Sequence, residues 1–284
     1  MGAAEDLLKQ GRLEECLKAL EGDVRQNPAD AKRRVFLFQL LSVMGQWDRA
    51  LNQVSVAADL DESNKLMAQV AEKAILCERF REDVYSGKRS PLILGEPEPW
   101  MGLLVQAAMY TAKGQHAAAA ELRAQAFEQA PAISGEIRIG RSDDEVQTHP
   151  IEWIADADET MGPMLEAIVD GKYYWVPWQR IALLRLEPPS DLRDSVWLPG
   201  QVVWSAGGTQ VCLIPTRYPG SHLAKYDGAI RLARKTEFVD RGGWEGPIGQ
   251  RLLATDAGEF GLLDTRGVRL GDAPLDPEAP GEGA

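Results

Sequence analysis

The sequence predicts an α+β chain: an N-terminal helical repeat followed by a mostly antiparallel, β-rich domain. Three observations carry that reading. One helical pattern recurs three times before residue 132, and after Pro131 the periodicity changes to the alternation expected of strands. Within the second half, Gly171–Arg180 (GKYYWVPWQR) gathers Tyr173, Tyr174, Trp175 and Trp178 into one alternating segment. Tyr173, Trp175 and Pro177 fall on one side and Tyr174, Val176 and Trp178 on the other. Pro177 lacks a ladder donor, so the strand is expected to end there or to run along an edge.

The repeat lies in QGRLEECLKALEGDVRQNP, MGQWDRALNQVSVAADLDE and KGQHAAAAELRAQAFEQAP. Their glycines are Gly11, Gly45 and Gly114, followed five positions later by the small residues Cys16, Ala50 and Ala119. The closing positions are Pro28, Glu62 and Pro131. The glycine spacings of 34 and 69 leave room for a fourth, eroded unit over residues 63–97. A period of about 34 residues is that of tetratricopeptide repeats, paired helices stacked through small residues. The glycine breaks one helix, the small residue lets helices approach closely, and the proline ends the second helix.

Helices are expected over Ala31–Met44, Asn64–Tyr85 and Trp100–Lys113. The first is apolar over more than half its circumference, which fits burial between neighbours in a stack. The loop SGKRSPLILGEPEP is too rich in proline for a helix, and its Leu92, Ile93 and Leu94 must pack on something. Beyond Pro131, strands are expected at Glu136–Gly140, Ile151–Ala155, on both sides of the hairpin dipeptide Asp170-Gly171, and at Arg180–Leu186, Asp194–Leu198, Gln201–Ser205, Gln210–Ile214 and Gly249–Thr255. RSDDEVQTHP reads as a polar connector, Gly162–Glu166 as a helical turn and His222–Arg234 as holding a short helix. Phe260–Asp264 and Gly267–Leu270 read as a last hairpin around Thr265-Arg266. The expected domains are thus residues 1–132, 133–271 and a disordered acidic tail over 272–284, rich in proline and glycine.

Composition excludes several function classes. The net charge is −12, with 16 basic against 19 acidic residues up to position 135 and 15 against 24 beyond it. Such an acidic balance argues against nucleic acid as a partner, and the patch RLARK (Arg231–Lys235) is too short to reverse it. No apolar run is long enough to span a membrane, and MGAAEDLLKQ does not resemble a signal peptide, so a cytoplasmic location is expected. Cys16, Cys77 and Cys212 are odd in number and far apart, which suggests neither a disulfide framework nor a metal cluster.

A catalytic constellation does not emerge. Asp156, Asp158 and Glu159 in ADADE could be paired carboxylates, but lack the glycine and distal glutamate of a calcium loop and read as a solvated turn. His149 and His222 have no partner at ligand spacing. Cys212 sits between Val211 and Leu213 and reads as an inert buried thiol. Arg217, in PTRYPGSH (Pro215–His222), could accept an anion or carboxylate. No metal or cofactor is implied, and a hydrolase is the least favoured reading.

The second half contains the long strings WIADADETMGPMLEAIVDGKYYWVPWQRI (Trp153–Ile181), EPPSDLRDSVWLPGQV (Glu187–Val202), LIPTRYPGSH (Leu213–His222), AIRLARKTEF (Ala229–Phe238) and GQRLLATDAGEFGLLDTR (Gly249–Arg266). Together they resemble the TagJ/ImpE (SciE-type) accessory proteins of bacterial type VI secretion. The family also carries an N-terminal helical repeat. The resemblance implies a non-catalytic cytoplasmic adaptor that binds the N-terminal segment of the small, TssB-type sheath subunit. It also implies a link to the ClpV-type AAA+ ATPase that dismantles the contracted sheath. A general co-chaperone or scaffold is the alternative; the basic residues that clamping a C-terminal peptide would need are limited to Lys32, Arg33 and Arg34.

The resemblance transfers no binding residue, and the apolar pattern of the repeat offers the candidates. An amphipathic helix laid in an apolar groove of the repeat would meet Phe38, Leu41, Trp100, Leu103 and Leu104, with Trp178 and Arg217 closing one end. Alternatively, an extended peptide would add a strand beside Tyr173–Pro177. Tyr173 and Trp175 themselves are expected to be structural.

Overall fold

A computed structural model of the chain describes residues 2–141 and 145–271. The expected tail at 272–284 therefore lies outside the described residues, as does part of the polar connector. The helical half consists of α1 (Gly2–Lys9), α2 (Leu13–Gln26), α3 (Ala31–Val43), α4 (Trp47–Leu60), α5 (Lys65–Tyr85), α6 (Pro99–Ala112) and α7 (His116–Gln129). Gly11, Gly45 and Gly114 join α1 to α2, α3 to α4 and α6 to α7. Each has a positive φ between 67° and 73°, the left-handed conformation in which a helix ends at little cost only with glycine. Cys16, Ala50 and Ala119 are fully buried where the helices meet. Residues 63–97, expected to hold an eroded fourth unit, contain one long helix, α5, followed by a loop instead of a partner helix. Asp30 caps α3, its carboxylate accepting from the Arg33 N–H at 3.2 Å. Leu37, Phe38, Leu40, Leu41 and Val43 are all buried, as a helix apolar nearly all round requires.

The second half contains β2 (Gly135–Ile139), β3 (Gln147–Ile151), β4 (Ile154–Asp156), β5 (Met164–Val169), β6 (Lys172–Pro177), β7 (Ile181–Leu186), β8 (Trp197–Trp204), β9 (Thr209–Pro215), the short α8 (Gly228–Arg231), β10 (Thr236–Asp240), β11 (Glu245–Gly249), β12 (Leu252–Thr255), β13 (Gly258–Gly261) and β14 (Thr265–Leu270). One further strand, β1 (Leu92–Ile93), comes from the proline-rich loop of the helical half. The main sheet runs β1-β6-β5-β9-β8-β7-β14-β2-β3; β13-β12-β4 and β10-β11 form smaller ones. All these pairings are antiparallel except β1 with β6.

Several expectations need correction. Gly162–Glu166 is not a helical turn: from Met164 it is strand β5, buried along its whole length. Part of the expected connector, including Pro150, is β3, which lies at the sheet edge where a missing donor is tolerated. The expected strands Asp194–Leu198 and Gln201–Ser205 are one strand, β8, preceded by a 3-10 turn at Leu192–Ser195. Finally, β13 and β14 do not pair: β13 joins β12, while β14 inserts between β7 and β2. At Asp170-Gly171 the hairpin is as expected, with φ of 50° and 71° suiting a primed two-residue turn.

Alternation in β5 and β6 explains how the halves join. Met164, Ile168, Tyr173 and Trp175 face the helices and belong to one continuous core with Leu20, Phe38, Ile75 and Leu104. Leu165, Ala167, Val169, Val176 and Trp178 belong to a second core on the opposite face, with Leu184, Ile214 and Leu253. The aromatic block thus closes both cores.

Candidate interaction site

The junction between α5 and the main sheet is built around charges removed from water. Glu78 and Arg81 lie one turn apart on α5, and Glu166 sits among apolar neighbours on β5. Asp156 ends β4 and Arg251 immediately precedes β12; all five residues are buried. Arg81 grips Glu166 with both arms, Nε to Oε1 at 2.7 Å and Nη2 to Oε2 at 2.7 Å. Nη2 also donates to the Arg217 carbonyl at 2.8 Å. Arg251 bridges Glu166 and Asp156, and its Nε donates to the Pro215 carbonyl at 3.0 Å. The Tyr173 hydroxyl donates to Glu166 and accepts from Trp175 Nε1 at 2.8 Å, while Trp197 Nε1 donates to Glu78 at 3.0 Å.

Burial alone would raise the Glu166 carboxyl, but Arg81 and Arg251 outweigh it and hold it at about 2. Asp156 is pushed up to about 6 by burial, with Asp158 and Glu166 adding to the push and Arg251 opposing it. Asp158 is also raised by burial, and its carboxylate accepts from the Thr160 N–H at 2.9 Å. ADADE is therefore not a solvated turn: its first two acids are buried parts of the junction. Glu166, engaged by two guanidiniums and a phenol, acts as a bolt between helix and sheet. Burial also pushes the thiols up, Cys16 to about 11 and both Cys77 and Cys212 to about 12, which leaves little thiolate at neutral pH.

Arg217 does not face outward for an anion. Its Nη1 donates to the carbonyls of Val43 at 2.7 Å and Arg231 at 2.5 Å. It therefore places a cation at the C-terminus of α3, where unpaired carbonyls favour one. Beside it, a cavity of about 30 Å³ lies among Trp47, Glu78, Arg81, Val196 and His222, room for about one water. Burial, with help from Arg217, depresses His222 to about 4. Arg231, from the basic patch, is buried and paired with Glu14 at 2.6 Å.

The other residues expected to meet a partner are core residues. Phe38, Leu41, Trp100 and Leu104 are buried in the helical core, and half-buried Leu103 packs against it. Trp178 is buried in the second core, across the sheet. The seven residues do not line one groove, because stacking against the sheet has used the face that a free repeat would present. The edge beside Tyr173–Pro177 is also occupied: β1 pairs there, Leu92 with Tyr174 and Ile93 with Trp175. Sequence reasoning missed Arg81, Glu166 and Arg251 and misread Asp156. The available signal was a glutamate inside the otherwise apolar run MLEAIV, which a strand buried on both faces tolerates only with a cationic partner.

The family model described as "ImpE protein" matches residues 148–269. The type VI secretion system accessory component TagJ of Pseudomonas aeruginosa is 48% identical over 263 residues, covering 93% of this chain and 89% of that protein. The crystal structure of protein VPA1032 from Vibrio parahaemolyticus superposes with a TM-score of 0.81 at 20% identity, covering 95% of this chain and 97% of that one, and so shares the fold. Among the described residues no helix is long and apolar enough to cross a membrane. With nearly half of its residues shared with that protein along almost its whole length, the chain belongs to the TagJ/ImpE family of type VI secretion accessory proteins.

Proposed function

We propose that this protein is a non-catalytic cytoplasmic adaptor of type VI secretion. It binds the N-terminal segment of the small, TssB-type sheath subunit and links it to the ClpV-type AAA+ ATPase in sheath turnover. The observation that carries the reading is the 48% identity, along 93% of the chain, to a protein named as a type VI secretion accessory component. The chemistry of the junction supports it: the Glu166 carboxylate is spent on Arg81, Arg251 and Tyr173, and the three thiols are buried and inert. In this reading residues 1–132 are a tetratricopeptide-like domain and residues 133–271 the domain that defines the family. Phe38, Leu41, Trp100, Leu103, Leu104, Trp178 and Arg217 then serve partner binding by shaping the outer surface from beneath.

The test is co-purification with the small sheath subunit, intact and lacking its N-terminal segment, with the ATPase added in a third arm. The reading expects capture of the intact subunit, loss of capture on truncation, and recruitment of the ATPase to the pair. Equal capture of the truncated subunit would overturn the peptide-binding part, and no capture of the intact subunit would overturn the whole.

A further inference from the structure

A trough lies between the C-terminal end of α7 and the outer face of the small sheet β13-β12-β4. Its volume is about 420 Å³, within the ~300–1,000 Å³ of ordinary binding clefts. Ala155 pairs with Ala254, and Ala254 with Glu259, so these side chains share a face that also carries Trp153 and Ala157. Ile154, Asp156, Leu253 and Thr255 point the other way and are buried. The floor is therefore a platform of alanines, low enough for another backbone to approach closely.

Phe127, with Ala130, Pro131 and Ala132, forms one wall, and Trp153 stands at one end. Each of these two aromatics is 39% exposed, a costly arrangement for side chains of this size. Phe127 is held in place: its ring lies against Gly162, where a Cβ would collide with it.

The charged side chains that line the trough have one sign. Glu159 and Glu259 line it, both exposed. Glu152 and Asp256 stand exposed beside Trp153, linked by a hydrogen bond from the Glu152 N–H to the Asp256 carboxylate at 2.7 Å. The lining contains no lysine, arginine or histidine. Arg123, which reaches Glu159 at 3.6 Å, has a side chain only 6% exposed against 69% for the glutamate. Strand addition along β4 is hindered, since the Asp156 N–H on its outer edge already donates to the Gly162 carbonyl at 2.7 Å.

We propose that this trough is the adaptor's docking site for a basic amphipathic helix of a protein partner, an apolar stripe on the alanine floor between Phe127 and Trp153 with lysines or arginines against Glu159 and Glu259. The proposal rests on the adaptor reading for the source of that helix, and on charge complementarity and the helix-in-groove mode for its chemistry. Aromatic anchors at the end and wall of a small-residue floor are where binding energy is expected to concentrate.

Two synthetic peptides and the small sheath subunit serve as probes of the full chain: a leucine/lysine amphipathic helix and its leucine/glutamate counterpart, followed by fluorescence anisotropy. Wild type should bind the lysine peptide, with affinity falling as salt rises, and reject the glutamate peptide. Ala155→Arg, which fills the floor, should weaken binding roughly tenfold or more. The exposed rim pair Glu159→Lys/Glu259→Lys, which leaves the apolar core untouched, should reverse the preference between peptides. Equal binding of both peptides by wild type, or binding unchanged in the rim pair with its melting temperature intact, overturns the proposal. The sheath subunit separates the two ideas. If wild type and both variants capture it equally, the trough is the wrong site and the adaptor reading stands. If wild type ignores it yet binds the lysine peptide in a rim-dependent way, the adaptor reading fails and the trough stands.

Discussion

Glu166→Gln tests whether the buried charges at the junction hold the two halves together. The carboxylate accepts two hydrogen bonds from Arg81 at 2.7 Å, and further ones from Arg251 and the Tyr173 hydroxyl. Glutamine preserves shape and size but has one acceptor oxygen, and its amide would turn a donor toward a guanidinium. Arg81 would then rely on Glu78, at 3.3 Å, and Arg251 on Asp156. Removing one partner of a buried ion pair costs about 3–5 kcal/mol, against a total stability on the order of 5–15 kcal/mol. At roughly 2–4 °C per kcal/mol for a chain of this size, the melting temperature should fall by about 10 °C. Urea unfolding followed by tryptophan fluorescence reads the loss directly, since Trp175 and Trp197 both bond into the network. The double variant Arg81→Met/Glu166→Leu should be less damaging than Glu166→Leu alone, because the apolar pair leaves fewer charges unanswered. A loss below about 1 kcal/mol for Glu166→Gln would refute the claim that this carboxylate bolts helix to sheet.

Acid should reveal the same site. Glu166 is held at about 2 against an ordinary 4.5, so its contribution, about 3 kcal/mol, is present above pH 4.5 and lost as the pH falls toward 2. His222, lowered to about 4 from 6.5, takes stability away between pH 6.5 and 4; Asp156, raised to about 6 from 3.8, returns a similar amount between 6 and 3.8. Unfolding free energy should thus change little from pH 6 to 4.5 and drop below that; a drop completed above pH 5 would contradict the assignment. Gly45→Ala should cost at least about 1 kcal/mol, because φ is +67° and the new methyl would overlap the His222 imidazole. His222→Ala in the same chain should recover the overlap part but not the backbone part, a difference that a thermal double-mutant cycle measures. Trp100→Ala should destabilise by about 3–5 kcal/mol as a core cavity; full stability with lost partner capture would instead place Trp100 at a contact surface. Cys212 should react with a thiol reagent only as fast as the protein opens, and rapid labelling of the folded protein would contradict its burial.

What was legible in the sequence was what local chemistry decides. The glycines between helices, the hairpin at Asp170-Gly171 and the strand ending at Pro177 all depend on a few adjacent residues whose backbone preferences are strong. The alternation of Tyr173 and Trp175 against Val176 and Trp178 was also legible, and it assigns each side chain to the core it occupies. Long-range placement was not legible. Phe38 and Trp100 have the same local pattern whether a helix lines an open groove or packs on a sheet, and only the neighbouring β5 and β6 decide between them. Asp156 looked like part of a polar turn because its counterpart, Arg251, lies 95 residues away in the chain. β14 looked like half of a hairpin, yet Thr265–Leu270 is claimed by β7 and β2 through pairings that local residues do not announce.

The short strand β1 has a consequence for how this protein can be cut. Leu92 and Ile93 leave the helical half and cover the outer edge of β6, so the chain supplies its own sheet with a terminal strand from far upstream. A fragment beginning after the helices would keep the region matched by the family model but bare that edge, along with the helix-facing Tyr173 and Trp175. Exposed edges of this kind invite pairing between copies. Such a fragment should therefore self-associate, and its insolubility would reflect a missing strap rather than an inability to fold. Starting the fragment a little before Leu92, so that the strap travels with the sheet, is the remedy the topology suggests.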